Sequence, residues 1–237
     1  YIKLYPFINY QFANKPKSKP KSKPKIGIIS NYFYNHSASK LIRGLIENLF
    51  HLNKSNITLI SLFPFRDKIT DILIGNSHEQ LDFGNSIEYD ENHFQDVYKK
   101  ISEKNLDIII YTDLGCDIWS YIVAHARLAP IQLVHGWGHP VTSGISTIDY
   151  FISMQDDQEN YSEKVIKFNN LTTYYYKPTL EDPNCLKILT ETEKLETEKL
   201  ETEINLREDL KIDQGQNIYF CYQSLFKFSP CFIYILN

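Results

Sequence analysis

The chain has 237 residues, 43% hydrophobic and 23% charged, with a formal net charge of −4. This is enough for one large domain or one and a half, and the mildly acidic balance argues against nucleic acid as a partner. No apolar run is long enough to span a bilayer, the opening Tyr1-Ile-Lys-Leu-Tyr-Pro-Phe-Ile8 lacks a signal-peptide layout, and Cys116, Cys185, Cys221 and Cys231 form no C-x-x-C pair, so no membrane and a cytoplasmic setting with reduced thiols are expected.

Residues 1–24 include most of Lys15-Pro-Lys-Ser-Lys-Pro-Lys-Ser-Lys-Pro-Lys25, whose prolines and like charges favour an extended, flexible linker without long-range contacts. A basic tail for acidic partners or lipid headgroups is the alternative. Lys25-Ile-Gly-Ile-Ile-Ser30 then reads as a first strand. Ser39 to Phe50 carries Leu41, Ile42, Leu45, Ile46 and Leu49 at helical spacing. Ile57 to Phe63 reads as a strand and Asn92 to Lys104 as a helix with Phe94, Val97, Tyr98 and Ile101 on one face. Leu106 to Tyr111 is a strand, Ile118 to Ala126 a helix and Ile131 to Val134 another strand. Beyond it, Gly136, Gly138, Pro140 and Gly144 break the chain into a loop that frees backbone N–H groups, and Ile148 to Ile152 returns to the sheet. Alternating strands and helices over residues 25–178 predict a parallel, doubly wound α/β domain, whose ligands bind at the carboxyl ends of the strands.

Residues 179–213 form an acidic low-complexity stretch in which Glu191-Thr-Glu-Lys-Leu-Glu-Thr-Glu-Lys-Leu200 repeats every five residues. Five residues turn a helix by about 140° net, so Leu195 and Leu200 share no face, and a solvated linker or an acidic interaction segment fits better than a coiled coil. Residues 214–237 open with the strand-like Ile218-Tyr-Phe-Cys-Tyr-Gln-Ser-Leu-Phe-Lys-Phe-Ser-Pro230 and read as the start of a second domain.

Several stretches in order resemble one family. They are Asn35-His-Ser-Ala-Ser-Lys-Leu-Ile-Arg-Gly-Leu45, Tyr111-Thr-Asp-Leu-Gly-Cys-Asp117, Ala126-Arg-Leu-Ala-Pro-Ile-Gln132, Gly138-His-Pro-Val-Thr-Ser-Gly144 with Ile148-Asp-Tyr-Phe-Ile152, Tyr161-Ser-Glu-Lys164, and Cys221-Tyr-Gln-Ser-Leu-Phe-Lys-Phe-Ser-Pro230. Together they are similar to the catalytic region of the O-linked N-acetylglucosamine transferase and SPINDLY glycosyltransferases, glycosyltransferase family 41, in its bacterial type.

The resemblance implies a GT-B fold, with a Rossmann-like N-terminal catalytic domain and a nucleotide-sugar-binding C-terminal domain. It implies sugar transfer from a UDP-sugar to Ser or Thr of an acceptor protein or peptide, in the cytoplasm or nucleocytoplasm. No cofactor or metal is implied, because cations and helix N-termini stabilise the diphosphate leaving group. His36 matches an active-site histidine, Gly138 and Pro140 the loop that contacts the donor sugar, and Lys227 a lysine on the diphosphate. His139 stands where other members have an aromatic residue. Gln223 is a further candidate for nucleotide contact, and Asp113 either hydrogen-bonds a sugar hydroxyl or caps its loop. A capping or loop role is the alternative for His36, and an ordinary surface lysine for Lys227.

The second domain is expected to be cut short. The chain alone is therefore expected to lack appreciable turnover, with a non-catalytic remnant or binding module as the alternative function. His135 and His139 have the spacing of two zinc ligands on a helix, but Gly136, Gly138 and Pro140 oppose that helix, so no metal site is expected. Tyr174-Tyr-Tyr176 reads as a sugar-stacking run or an edge aromatic run.

Overall fold

A computed structural model describes residues 10–11, 23–84, 90–135, 141–153, 158–174, 176, 211–213 and 215–216. The chain divides into two compact units, Tyr1–Lys177 and Pro178–Asn237. In the second, the described residues include a turn in which the Gln216 N–H donates to the Asp213 carbonyl at 3.0 Å.

The first unit alternates strands and helices: β1 Lys25–Ser30, α1 Ser37–Leu52, β2 Asn56–Ser61, α2 Lys68–Gly75, β3 Glu79–Asp82, α3 Glu91–Glu103, β4 Ile108–Tyr111, α4 Ile118–Ala124, β5 Ile131–His135, β6 Tyr150–Ser153 and β7 Lys164–Lys167. The seven strands form one parallel sheet in the order β3-β2-β1-β4-β5-β6-β7. Strand order reverses between β1 and β4, the position at which open α/β sheets bind ligands.

The central strands are apolar because both faces are covered. On one face Ile28, Leu59, Ile110 and Leu133 pack with Ile42 and Ile46 of α1 and Ile69 and Leu73 of α2. On the other, Ile29, Ile60, Ile109 and Val134 pack with Phe94, Val97 and Ile101 of α3 and Val123 of α4. The amide of Gln132 is buried inside this second layer and uses all its valences. Its Oε1 accepts from the N–H groups of Leu128 and Ala129, and its Nε2 donates to the carbonyls of Ala126 and Thr147. Beside it Arg127 pairs with Asp149 at 2.5 Å, joining the start of β5 to the start of β6.

Three elements have no counterpart in the sequence reading. The eight residues of α2 are too few for a clear helical period; the helix starts at Asp67, whose carboxylate accepts from Ile69 and Thr70 N–H groups in a capping box. Short β3 and β7 read Glu-Gln-Leu-Asp and Lys-Val-Ile-Lys, half-exposed edge strands without the apolar run that marks the centre. A correction falls on the N-terminal linker, because its expected lack of long-range contacts fails at Tyr10–Gln11. The Arg127 N–H donates to the Tyr10 carbonyl at 2.7 Å, and the Tyr10 ring meets the Tyr98 ring at 5.8 Å. An aromatic side chain beside an open hydrophobic edge gains from burial whatever charged tract follows it.

Candidate functional site

Two loops leave the sheet at the reversal between β1 and β4. Leaving β1, Ser30 to His36 leads into α1, which begins two residues before the helix read from periodicity. The earlier start makes His36 the helix N-cap, in extended conformation with φ −132° and ψ 156°. Its Nδ1 accepts the Ala38 N–H at 3.1 Å, meeting one of the unpaired donors of the first turn. The imidazole lies flat on Tyr32, with ring centroids 4.3 Å apart and planes 15° apart.

That cap decides the chemistry of His36. Burial lowers its pKa, so the neutral ring dominates at pH 7. With the Nδ1 lone pair occupied by Ala38, the ring proton sits on Nε2. His36 therefore offers a hydrogen-bond donor from its outer nitrogen, suited to polarising an oxygen and unsuited to taking a proton there. Tyr32 beneath it has a pKa pushed up to about 12 by burial and by the charges of Asp117 and Asp113, and its hydroxyl donates to the Cys116 carbonyl at 3.3 Å.

Leaving β4, Thr112 to Asp117 leads into α4. Asp113 is 1% exposed. Its Oδ2 accepts the Asn31 N–H at 2.6 Å and the Ser30 hydroxyl at 3.3 Å, and its Oδ1 accepts the Ser120 hydroxyl at 2.9 Å. Asp117 caps α4 through the Ser120 N–H at 2.7 Å and accepts the Asn31 side-chain amide at 2.6 Å. The two acids thus stitch the β1 loop to the β4 loop. Burial pushes the Asp113 pKa up to about 7, against the pull of the Asn31 and serine donors and with added repulsion from Asp117. This geometry matches the loop-capping alternative for Asp113; its carboxylate is turned to the protein.

β5 ends at His135, on the same rim as His36 because the sheet is parallel. Gly138, His139 and Pro140 lie outside the described residues, as do Gln223 and Lys227. The two flanks of residues 136–140 are described. On the N-terminal side His135 is buried, its Nε2–H donating to the Thr172 carbonyl at 2.6 Å. On the C-terminal side Thr142 and Ser143 are tied to the buried carboxylate of Glu163, just before β7. Beneath this segment lies a cavity of about 150 Å³ lined by Leu114, Tyr121, Val134, Val141, Phe151 and the Thr142–Ser143 turn. A wider depression of about 450 Å³ with Lys25, His78, Glu79 and Lys104 lies at the opposite, amino rim, away from every candidate residue described.

Tyr174 and Tyr176 rest on α1, Tyr174 over Gly44 and Tyr176 beneath the Arg43 guanidinium at 4.8 Å. Sequence reasoning missed Asn31, Asp117 and Glu163. Asn31 directly follows β1 and Asp117 stands just before α4 as its cap, positional signals that were available. Glu163 stood in the motif Tyr161-Ser-Glu-Lys164 without any sign of its distant partners. Among the described residues no three His, Cys, Asp or Glu side chains converge as metal ligands, and no helix is long and apolar enough to cross a membrane.

No family model matches the chain, and no curated protein matches it significantly by sequence. Solved structures do match. One is a mutant of the O-GlcNAc transferase of Thermobaculum terrenum, with a TM-score of 0.57 and 20% identity over 68% of this chain. This chain spans only 30% of that transferase. The apo form of the lipopolysaccharide outer core galactosyltransferase WaaB overlaps more loosely, with a TM-score of 0.37 and 12% identity over 58% of this chain and 44% of that one. The described domain has the α/β, Rossmann-like fold of the GT-B glycosyltransferases.

Proposed function

We propose that this domain belongs to a nucleotide-sugar glycosyltransferase, of the type that moves N-acetylglucosamine or a related sugar from a UDP-sugar to a Ser or Thr hydroxyl of a protein. The observation that carries the reading is the place of His36. It stands at the strand-order reversal, where open α/β sheets bind ligands, with its ring proton on Nε2. In such a transfer the acceptor oxygen bonds to the anomeric carbon, the diphosphate departs with the electron pair of its bond to that carbon, and the hydroxyl proton passes to the departing phosphate or to water. A neutral imidazole donor orients an oxygen of the acceptor or sugar and does not itself take that proton.

In this reading Gly138, His139 and Pro140 meet the donor sugar, Gln223 the nucleotide and Lys227 the diphosphate, without a metal or other cofactor. Asp113 acts through the loops it holds. The setting is cytoplasmic or nucleocytoplasmic, with neither nucleic acid nor membrane as partner.

A second reading, a binding module without catalysis, is favoured by the structural commitments of the same residues: His36 caps α1 and Asp113 staples two loops. Saturation-transfer NMR on the purified chain with UDP and UDP-N-acetylglucosamine tests the proposal. Transfer to the sugar protons, lost in His36→Ala, supports it. No transfer to either ligand at millimolar concentration overturns nucleotide-sugar binding and leaves the second reading.

A further inference from the structure

Tyr32 and His36 meet where the β1 loop is fastened to the β4 loop. Tyr32 is held at both ends. Its N–H donates to Ser30 Oγ at 3.0 Å, and its hydroxyl donates to the Cys116 carbonyl at 3.3 Å. The two residues before it are fixed as well, Ser30 by Asp113 and Asn31 by Asp113 and Asp117. The His36 backbone is tied in turn, its N–H donating to the Tyr34 carbonyl at 2.6 Å. Its imidazole lies flat on Tyr32, 4.3 Å away and 15° from parallel, while the Tyr34 ring meets it at 5.7 Å and a 56° tilt.

The cap and the stack fix different things. The Ala38 N–H holds one ring atom, Nδ1, and leaves the imidazole free to tilt about that contact. A flat aromatic neighbour sets the plane of the ring and covers one of its faces. That cover contributes to the burial which lowers the His36 pKa. Tyr32 itself is partly exposed, so the tether at its hydroxyl, and not enclosure, keeps its ring in place. We infer that Tyr32 is a positioning residue for His36: tethered to the β4 loop, its ring fixes the plane of the imidazole and with it the direction of the Nε2–H donor. The inference rests on the transferase reading above, in which His36 orients an oxygen, and adds to it a residue that acts through His36.

The test compares Tyr32→Leu and Tyr32→Phe with the unaltered chain by NMR on ring-labelled histidine. The His36 titration midpoint and the ratio of its neutral tautomers are read without ligand, and saturation transfer to UDP-N-acetylglucosamine beside them. Tyr32→Leu removes the stacked face, so the midpoint should rise by about half a pH unit and the excess of the Nε2–H tautomer should fall about threefold. Saturation transfer should fall about threefold with it. Tyr32→Phe keeps the ring and loses only the tether, and should recover most of all three. The titratable groups around the pair, Tyr34, Asp67, Asp113, Cys116 and Asp117, are the same in every variant. His93 on α3 should titrate alike in all three chains, which separates loss of position from loss of fold. An unchanged midpoint and tautomer ratio in Tyr32→Leu, saturation transfer unaffected by it, or equal changes in Tyr32→Leu and Tyr32→Phe overturn the positioning role. If Tyr32→Leu fails to fold, Overhauser contacts between the two rings of the unaltered chain decide, and their absence overturns it. No saturation transfer from the unaltered chain overturns the transferase reading, whereas the midpoint and the tautomer ratio still judge the hold of Tyr32 on His36.

Discussion

Asp113 and Glu163 are two carboxylates almost equally hidden, one past the carboxyl end of β4 and the other before the amino end of β7, yet their proton affinities move in opposite directions. Asp113 lies inside the sheet between two loops, beside a second acid, and burial with that repulsion outweighs its three donors, so its pKa rises to about 7. For Glu163 burial also favours the neutral form, but the Ser143 and Thr142 donors outweigh it and the pKa falls below the usual carboxylate value. The comparison shows that exposure alone does not set the charge of a buried acid; the depth of desolvation against the number and kind of donors does. The first acid is a staple near its titration point, the second a permanent anion.

Removing each side chain should sharpen that contrast most. Glu163→Ala removes a buried carboxylate and deprives the half-buried Ser143 and the exposed Thr142 of their acceptor, and the expected loss is on the order of 3 kcal/mol in urea unfolding at pH 7. Asp113→Asn, which swaps an unfavourable buried charge for an amide, should cost much less at the same pH. Equal losses would erase the distinction between the two acids.

A pH scan of stability should split them next. The folded pKa of Asp113 lies above its ordinary value of 3.8, so between pH 3.8 and about 7 the folded chain holds a proton that the unfolded chain has released. Stability should therefore decline as pH climbs through that window, by up to about 1.4 kcal/mol per pH unit, and Asp113→Asn should flatten the decline. Glu163 has the opposite sign. Its contribution is present above its ordinary value of 4.5 and is lost as pH falls through the lower folded value. A wild-type profile that rises from pH 4 to 7 and does not respond to Asp113→Asn would contradict the raised pKa.

His36 offers a smaller, separate test. Its lowered pKa means that protonation is resisted in the folded chain, so its cap is intact above the ordinary histidine value of 6.5 and weakens as pH falls through the folded value. His36→Ala should cost about 1 kcal/mol of stability at pH 7, and His36→Asn, which keeps a capping acceptor, should cost less. Loss of stability shared equally by both variants would mean that the stack on Tyr32, and not the cap, matters.

The smallest effect is expected away from both acids. A Cβ on Gly44 would approach the Tyr174 ring to 2.6 Å, but Tyr174 is 55% exposed and can swing outward. Gly44→Ala should therefore change stability by under about 1 kcal/mol, with the helical gain of alanine opposing the displacement. A loss comparable with that of Glu163→Ala would show that the segment carrying Tyr174 is as tightly built as the rim.

The alternation of apolar strands and amphipathic helices was legible in the residues themselves, because burial on both faces of a parallel sheet demands it. The strand reading Lys25–Ser30 coincides with β1, and the helix over Asn92–Lys104 coincides with α3 to within a residue. Edge elements escaped: β3 and β7 have one neighbour each and need no continuous apolar run. The cap at His36 escaped in part, since periodicity locates the apolar face of a helix and not its first residue.

The sequence by itself determined the α/β class, the glycine-broken loop after β5 and the short motifs around His36 and Asp113, because propensity, period and turn chemistry act over a few neighbouring residues. Tertiary structure alone decided strand order, hence the switch between β1 and β4, and the pairing of Asp113 with Asn31 and of Glu163 with Ser143, contacts between residues 82 and 20 positions apart. Whether a carboxylate is charged depends on how deeply packing removes it from water and which donors are folded against it, and neither quantity exists before the chain closes on itself.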